Sequence, residues 1–201
     1  MYDALQKNFE GYEEMQAMLL KETPSYGNGI DEVDDIANDV LSHFNEAVMD
    51  LNKKAKTDKF VSTLFGYFFH IYHGEIAGAT PDGRMKGEAF SDSMGPSQGR
   101  DEQGPTRLLN SVLHLNDDLV TGGYALNFKI NPSFLNEEKG EKAIEQLLKA
   151  YIENGGPQVQ IYTTNMEDLK DAQIHPEKHR DLIVRVGGYC EFFVSSADRD
   201  H

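Results

Sequence analysis

The 201-residue chain contains one cysteine, Cys190, and no tryptophan. A single cysteine cannot form a disulfide within the chain, which is typical of proteins from a reducing cytoplasm. No apolar run reaches the length of a membrane-spanning helix, and the chain opens on an acidic amphipathic segment rather than on a signal peptide. The sequence therefore predicts a cytoplasmic protein with no membrane partner.

Basic residues are also scarce, with 19 Lys and Arg against 34 Asp and Glu and a formal charge of -15. Such a chain repels phosphate backbones, and it has no basic stripe with interleaved aromatic residues. We therefore expect no nucleic-acid partner. The hydrophobic fraction of 39% is ordinary for a globular chain that buries a core.

The first fifty residues show helical periodicity. Residues 3–22 predict one amphipathic helix that ends at Thr23-Pro24. A second helix is predicted after the turn at residues 26–29, with Asp31 as its N-cap. We expect its apolar stripe to be buried in a core or an interface; the stripe comprises Val33, Ile36, Ala37, Val40, Phe44, Val48 and Leu51.

Aromatic and β-branched residues are dense from 60 to 72, which predicts a buried strand or strand pair. His70 and His73 lie in this run. A third ligand at metal-binding spacing is missing, so packed or exposed histidines are favoured over a metal site. We expect no bound metal.

A long loop is predicted from Gly74 to Thr106, where glycines and prolines interrupt a polar stretch without a period. Loops of this length are usually functional or wrapped over another surface. Its Asp82-Gly83-Arg84 is consistent with a type I turn carrying a surface arginine, or with a structural loop that orders an active-site floor. The second interpretation is favoured on the family pattern described below.

The remainder alternates strands and helices, which predicts a βαβ arrangement with parallel strands. The predicted strands span residues 124–130, 159–162 and 182–186, and the predicted helices span 138–154 and 166–173. These strands are too few to close a barrel. Because an open edge and an uncovered apolar face need covering, we expect a hetero-oligomer with a partner that carries the other strands.

Two adjacent glycines, Gly187 and Gly188, interrupt the strand-like run from 185 to 193. Glycine weakens a strand interior because it adds backbone entropy and no packing. The pair is consistent with a bulge or tight corner, with a close backbone approach, or with special chemistry.

The string Arg185-Val186-Gly187-Gly188-Tyr189 resembles the R-V-x-G-Y signature of glycyl radical enzymes, the superfamily of pyruvate formate-lyase and the diol dehydratases. Further landmarks follow in family order: Tyr26-Gly27-Asn28-Gly29, Gly78-Ala79-Thr80-Pro81-Asp82-Gly83-Arg84, Pro96-Ser97-Gln98-Gly99-Arg100, Gly104-Pro105-Thr106, Gly155-Gly156 and Asp171-Ala172-Gln173. The resemblance implies an α/β fold, the C-terminal part of a ten-stranded β/α barrel that is incomplete on its own. Residues 1–73 would belong to the barrel domain and 74–201 to the glycine radical domain.

By the same resemblance, Gly188 is the catalytic residue that stores a backbone radical. Arg185 would anchor the radical loop, although a surface charge is the alternative, while Gly187 would give the loop backbone freedom and Tyr189 would pack it. The resemblance also places polar side chains of two strands near the substrate, and Asn127 and Gln160 are the candidates retained. Ordinary packing or exposure is the alternative for both.

The resemblance implies no bound cofactor. The glycyl radical would be installed by an activating enzyme that uses S-adenosylmethionine and an iron-sulfur cluster. Family enzymes carry a catalytic cysteine on a separate upstream loop, whereas Cys190 lies beside the radical glycine and is expected to be a simple packed residue rather than a thiyl carrier. We therefore expect a large partner chain to supply the thiol, and the chain to be inactive without it.

The implied function is that of a radical-bearing subunit or fragment in anaerobic metabolism, with a small-molecule substrate and a lyase, dehydratase, decarboxylase or formate acyltransferase reaction. A spare part that replaces an oxygen-damaged radical domain is one alternative. A non-catalytic assembly module is the other. The polar residues 194–201 depart from the apolar terminal helix of the family, which favours this last alternative somewhat.

Overall fold

The computed structural model of the protein describes residues 1–116, 118, 120–130, 132–135, 138–163, 166–186 and 189–194. The chain divides into two compact units, Met1–Leu126 and Asn127–His201. The domain boundary predicted between residues 73 and 74 concerns family domains rather than compactness, and it stays a prediction.

The first unit is mainly helical, with helices α1 (Tyr2–Gln6), α2 (Glu13–Lys21), α3 (Asp31–Ala55), α4 (Phe69–Ile76) and α5 (Pro105–His114). Within the described ranges, no helix has both the length and the apolar character needed to cross a membrane. Residues 77–104 connect α4 to α5 as irregular backbone, so most of the predicted long loop is confirmed.

The single helix predicted over residues 3–22 is wrong, because the backbone breaks between α1 and α2. Asn8 and Phe9 adopt left-handed conformations with φ of 52° and 63°, and Gly11 follows with φ of 76°. The break buries Phe9, whose backbone nitrogen donates to Ala4 O at 2.7 Å. Burial of one aromatic ring thus accompanies an interruption that helical periodicity alone does not reveal.

Helix α3 differs from the sequence prediction at its start. Ile30, with extended backbone, takes the N-cap position, and Asp31 is the first helical residue, where its charge favours the helix dipole. Four residues of the predicted stripe, Ile36, Val40, Phe44 and Leu51, are exposed and so lie outside the core of this chain, while their burial in an interface stays a prediction. The residues that α3 buries are Asp34, Leu41 and Asn45.

A buried polar contact joins α3 to α5, a helix that the sequence pattern did not single out. Ser111 Oγ donates to Asp34 Oδ2 at 2.8 Å and accepts a hydrogen bond from Gly29 N at 2.9 Å. Leu108 and Val112 of α5 are buried in the core of this unit. Burial raises the pKa of the Asp34 carboxyl above its usual value, and the hydrogen bond from Ser111 opposes the rise.

The strand predicted over residues 60–72 is largely wrong. Only an isolated parallel bridge joins Leu64 to Tyr124, with Leu64 N donating to Gly123 O at 2.9 Å. From Phe69 the chain is helical instead, and the rings of Phe69 and His73 stack one turn apart at 5.7 Å. A short apolar run fits both periods, and here local ring stacking accompanies the helix.

The second unit contains helices α6 (Pro132–Leu135), α7 (Glu138–Glu153) and α8 (Met166–Ile174), and a 3-10 turn at Pro176–Lys178. Strands β1 (Asn127–Lys129) and β2 (Gln160–Tyr162) pair in parallel across α6 and α7, which confirms the predicted βαβ arrangement. Strands β3 (Ile183–Val186) and β4 (Tyr189–Phe192) form an antiparallel pair.

The end of α7 depends on the predicted glycine pair. Gly155 has φ of 86°, the left-handed conformation that commonly ends helices. A Cβ at Gly156 would lie 2.5 Å from the ring of the buried Tyr151. Both positions therefore require glycine, one for backbone conformation and one for close approach.

The raised pKa of Asp34 predicts a pH-dependent effect of Asp34→Asn. The folded state holds the proton more tightly, so the stabilisation from Asp34 is complete below the unfolded pKa of about 3.9 and is lost as the pH rises through the folded pKa. The melting temperature of Asp34→Asn should therefore rise relative to wild type between pH 4 and pH 7. Glu32→Gln, an exposed change on the same helix turn, is the control. A difference that is constant or falls with pH would contradict the prediction.

Candidate functional site

The predicted radical segment forms an antiparallel hairpin. Its ladder pairs Ile183 with Phe192, Val184 with Glu191, Arg185 with Cys190, and Val186 with Tyr189. The chain therefore reverses direction between Val186 and Tyr189, which the predicted radical residue Gly188 and its neighbour Gly187 connect. These two glycines, and the side chains of Arg185, Tyr189 and Cys190, lie outside the described residues.

The base of the hairpin is tied to the preceding helix. Phe193 N donates to Leu182 O at 2.8 Å, and Leu182 N donates to His179 O at 3.0 Å. The Nε2 atom of His179 lies 2.6 Å from Asp171 Oδ2 on α8. This hydrogen bond lowers the pKa of Asp171 below its usual value. The hairpin base is thus linked to α8 through side-chain and backbone contacts.

The two predicted substrate-binding residues lie side by side on the parallel strands. Asn127 of β1 pairs in register with Gln160 of β2, and Lys129 pairs with Tyr162 two residues on. Gln160 Nε2 donates to the Tyr162 hydroxyl at 2.9 Å, so the amide is already oriented. Phe128, on the opposite face of β1, is buried. The structure brings this pair together, and its role in substrate binding stays a prediction.

Arg84 organises the loop between α4 and α5, a role that residue patterns alone left open. Its guanidinium donates to the carbonyl oxygens of Met85 at 3.0 Å and Glu88 at 2.7 Å, and it lies 4.0 Å from the Phe90 ring. Further bonds reach Gly74 O, Gly78 O and Thr80 Oγ1. The residue is only 7% exposed, so the surface-arginine interpretation is wrong.

The position of Gly74 shows how tightly this loop is packed. A Cβ there would lie 2.2 Å from Glu88 O, a distance that real side chains do not reach. The sequence signal for the Arg84 network is an arginine inside a long glycine-rich loop, whose irregular backbone leaves carbonyl groups without helix or sheet partners. Arginine alone offers five N–H donors, so a single residue can satisfy several buried carbonyls.

A second set of contacts joins the turn at residues 25–29 to the later part of this loop. Asn28 Nδ2 donates to Arg100 O at 2.7 Å, and Asn28 Oδ1 accepts from Gln103 N at 3.0 Å. The guanidinium of Arg100 donates to Thr23 O at 3.2 Å. Both ends of the loop are therefore fixed by side-chain to backbone bonds.

The histidine pair His70 and His73 takes part in local packing. His70 Nδ1 lies 3.0 Å from Tyr67 O and 3.8 Å from Asp92 Oδ1, while the His73 ring stacks on Phe69. In the part of the chain that the structure describes, no three His, Cys, Asp or Glu side chains converge to hold a metal ion.

Comparison with known proteins decides the family. A family model described as "Glycine radical" matches residues 90–194, more than half of the chain, including the hairpin and both glycines. A second model, described as "Pyruvate formate lyase-like", matches residues 1–74. The chain belongs to the glycyl radical enzyme family. The resemblance inferred from the sequence is thereby confirmed.

Individual glycyl radical enzymes match nearly the whole chain. Trans-4-hydroxy-L-proline dehydratase of Clostridioides difficile is 35% identical over 194 residues, which are 94% of this chain and 24% of the relative. Isethionate sulfite-lyase of Bilophila wadsworthia (strain 3_1_6) is 31% identical over 203 residues, covering 96% of this chain and 23% of the relative.

A solved structure confirms the predicted fold class. The glycerol-bound B12-independent glycerol dehydratase of Clostridium butyricum superposes with a TM-score of 0.86 at 36% identity, covering 96% of this chain and 24% of that one. The chain is thus α/β and corresponds to part of a glycyl radical enzyme barrel. It spans about a quarter of the length of the relatives that it matches.

The Arg84 network predicts that Arg84→Lys lowers the stability of the fold. Lysine keeps the charge but cannot reach several carbonyls in fixed geometry, so the free energy of unfolding should fall by about 2–4 kcal/mol. Arg107→Lys, at an exposed arginine, is the matched control and should change it by less than about 0.5 kcal/mol. Urea denaturation measures both. Equal effects would show that Arg84 does not hold the loop.

Proposed function

We propose that this chain is the radical-bearing part of a glycyl radical enzyme of the lyase or dehydratase type, and that Gly188 stores the radical. One observation carries the proposal. The signature string Arg185 to Tyr189 lies within the matched glycine radical region. The paired strands β3 and β4 directly precede and follow the two glycines.

Only glycine suits the radical position. Loss of a hydrogen atom from Cα gives a planar carbon between an amide nitrogen and a carbonyl group, and delocalisation over both stabilises it. A Cβ would crowd this plane. The ladder leaves two residues, both glycine, between Val186 and Tyr189.

Activation in this proposal requires a second enzyme. An activating enzyme that uses S-adenosylmethionine and an iron-sulfur cluster removes one hydrogen atom from Cα of Gly188. This chain supplies the hairpin that is presented to it, with the base tied to α8 through His179 and Asp171. In this scheme the chain itself binds no cofactor.

Turnover requires a thiol. The Gly188 radical takes a hydrogen atom from an active-site cysteine, the resulting thiyl radical takes one from the substrate, and both atoms return afterwards. Cys190 is the one cysteine of the chain, and its backbone is fixed in β4 as the ladder partner of Arg185. We therefore assign the thiol to a large partner polypeptide, with which this chain would form a hetero-oligomer. The chain would be inactive without it.

The reaction proposed is elimination from a small molecule. The relatives named above include two dehydratases and a sulfite-lyase. Asn127 and Gln160, adjacent on β1 and β2, are the side chains of this chain that we propose for substrate contact. Formate acyltransferase chemistry is the alternative, supported by the pyruvate formate lyase-like match of residues 1–74.

The radical assignment predicts the effect of Gly188→Ala. Anaerobic incubation with a radical S-adenosylmethionine activating enzyme, the large partner chain, S-adenosylmethionine and a reductant should give a doublet electron paramagnetic resonance signal. Gly188→Ala should abolish it, because Cβ blocks both hydrogen abstraction and planarity. Gly187→Ala is the matched control and should weaken the signal without necessarily removing it. An unchanged signal from Gly188→Ala would place the radical elsewhere.

Oxygen sensitivity gives a second prediction. Dioxygen adds to the Cα radical and the backbone then fragments, so air should cut the activated chain at Gly188 and release a peptide from Tyr189 to His201. Mass spectrometry before and after exposure measures the cut, with unactivated protein as the control. An intact mass after verified activation would exclude the radical carrier and favour an assembly module.

A further inference from the structure

Helix α3 exposes most of its large apolar residues and buries two polar ones together with Leu41, unlike an ordinary surface helix. Ile36, Val40 and Phe44 are 61%, 67% and 54% exposed, and Leu51 is 47% exposed. We call these four residues the α3 stripe. On its buried side, α3 places Asp34 and Asn45 at 2% exposure.

The α3 stripe is continuous and regular. Its members recur at intervals of four, four and seven residues, so they lie along one face of a straight helix. The face also includes small or β-branched residues, namely Val33, Ala37, Ala47, Val48 and Ala55, together with His43 and, five turns beyond Ile36, Lys54. The 25-residue helix is about 37 Å long, and between Ile36 and Leu51 the stripe itself carries no charge.

Such a surface is suited to packing against another helix. Single exposed apolar residues are ordinary, but contiguous apolar patches on soluble proteins mark interaction sites. Side chains repeated at intervals of four form the ridges that interdigitate when helices pack. Glu32 and Asp50 lie beside the stripe, and Lys54 lies at its C-terminal end, where these charges would form the polar rim of an interface.

The occupant follows from what the chain lacks relative to its family. This chain covers 24% of the glycerol dehydratase chain with a TM-score of 0.86, so the same helix exists there in the presence of the other three quarters of a barrel. The outer layer of a β/α barrel consists of neighbouring helices. A second copy of this chain is a poor alternative, because each copy carries a formal charge of -15.

We propose that the α3 stripe is the docking surface for a helix of the polypeptide that supplies the rest of the barrel. The proposal rests on the proposed function, since it names the surface through which the large partner binds. Docking itself requires no radical, so it is measured on unactivated protein.

The test uses a defined probe, the three quarters of C. difficile trans-4-hydroxy-L-proline dehydratase that its match to this chain leaves out, co-expressed with the 201-residue chain. Size-exclusion chromatography with light scattering should detect a one-to-one complex. Val40→Glu and Phe44→Glu should each lower its affinity at least about tenfold, because a carboxylate would lose its hydration in an apolar interface.

Two controls separate docking from folding. Ile174→Glu introduces the same charge at a residue that is 71% exposed in the second unit, and it should leave the affinity unchanged. Val40 and Phe44 are more than half exposed and glutamate favours helices, so both variants of α3 should keep the circular dichroism and melting temperature of wild type.

Several results would overturn the docking proposal: no complex with the unsubstituted chain, a complex that tolerates both glutamates, or one that Ile174→Glu weakens equally. A homodimer of this chain that Val40→Glu dissociates would assign the stripe to a second copy instead. The docking proposal and the radical proposal can be rejected independently of each other. Loss of docking in the glutamate variants with no radical at Gly188 would support the surface and reject the radical function.

Discussion

The backbone ladder between β3 and β4 is the constraint on which the functional proposal depends. Four residue pairs fix the two strands, and the innermost pair, Val186 with Tyr189, leaves only two glycines to connect them. In the proposed function, glycine is required at position 188 because a Cα without a Cβ can become planar when it carries the radical. The contacts at His179 and Asp171 then connect the base of the ladder to α8.

Part of the fold was predictable because local and tertiary preferences agree. The βαβ unit has a long periodic helix, a glycine stop and two strand-like runs, and all of these occur near the predicted positions. The predictions failed where a tertiary contact overrides a local pattern. Burial of Phe9 accompanies the break in the first helix, and ring stacking accompanies a helix at Phe69 where a strand was expected.

The candidate site, too, was predictable from local sequence patterns only in part. Gly188 is predicted from a short signature, and its role stays a prediction, because this glycine lies outside the described residues. Asn127 and Gln160, the predicted substrate contacts, are register neighbours. The Arg84 network is invisible to periodicity because its partners are backbone carbonyls of irregular chain. For the apolar stripe of α3 the sequence left a core and an interface open, because such a stripe predicts that something covers it without telling whether the cover lies in the same polypeptide. The exposure of Ile36, Val40, Phe44 and Leu51 excludes the core of this chain.

The two strand pairs of the second unit differ in how far apart along the chain their partners lie. The paired residues of β1 and β2 are separated along the chain by the whole of α7. The paired residues Ile183 and Phe192 are separated by only a short segment. Contacts between near neighbours form fast, since little loop entropy is lost, and hairpins close in about 1–10 μs. We therefore expect β3 and β4 to pair earlier in folding than β1 and β2, whose partners lie much farther apart along the chain.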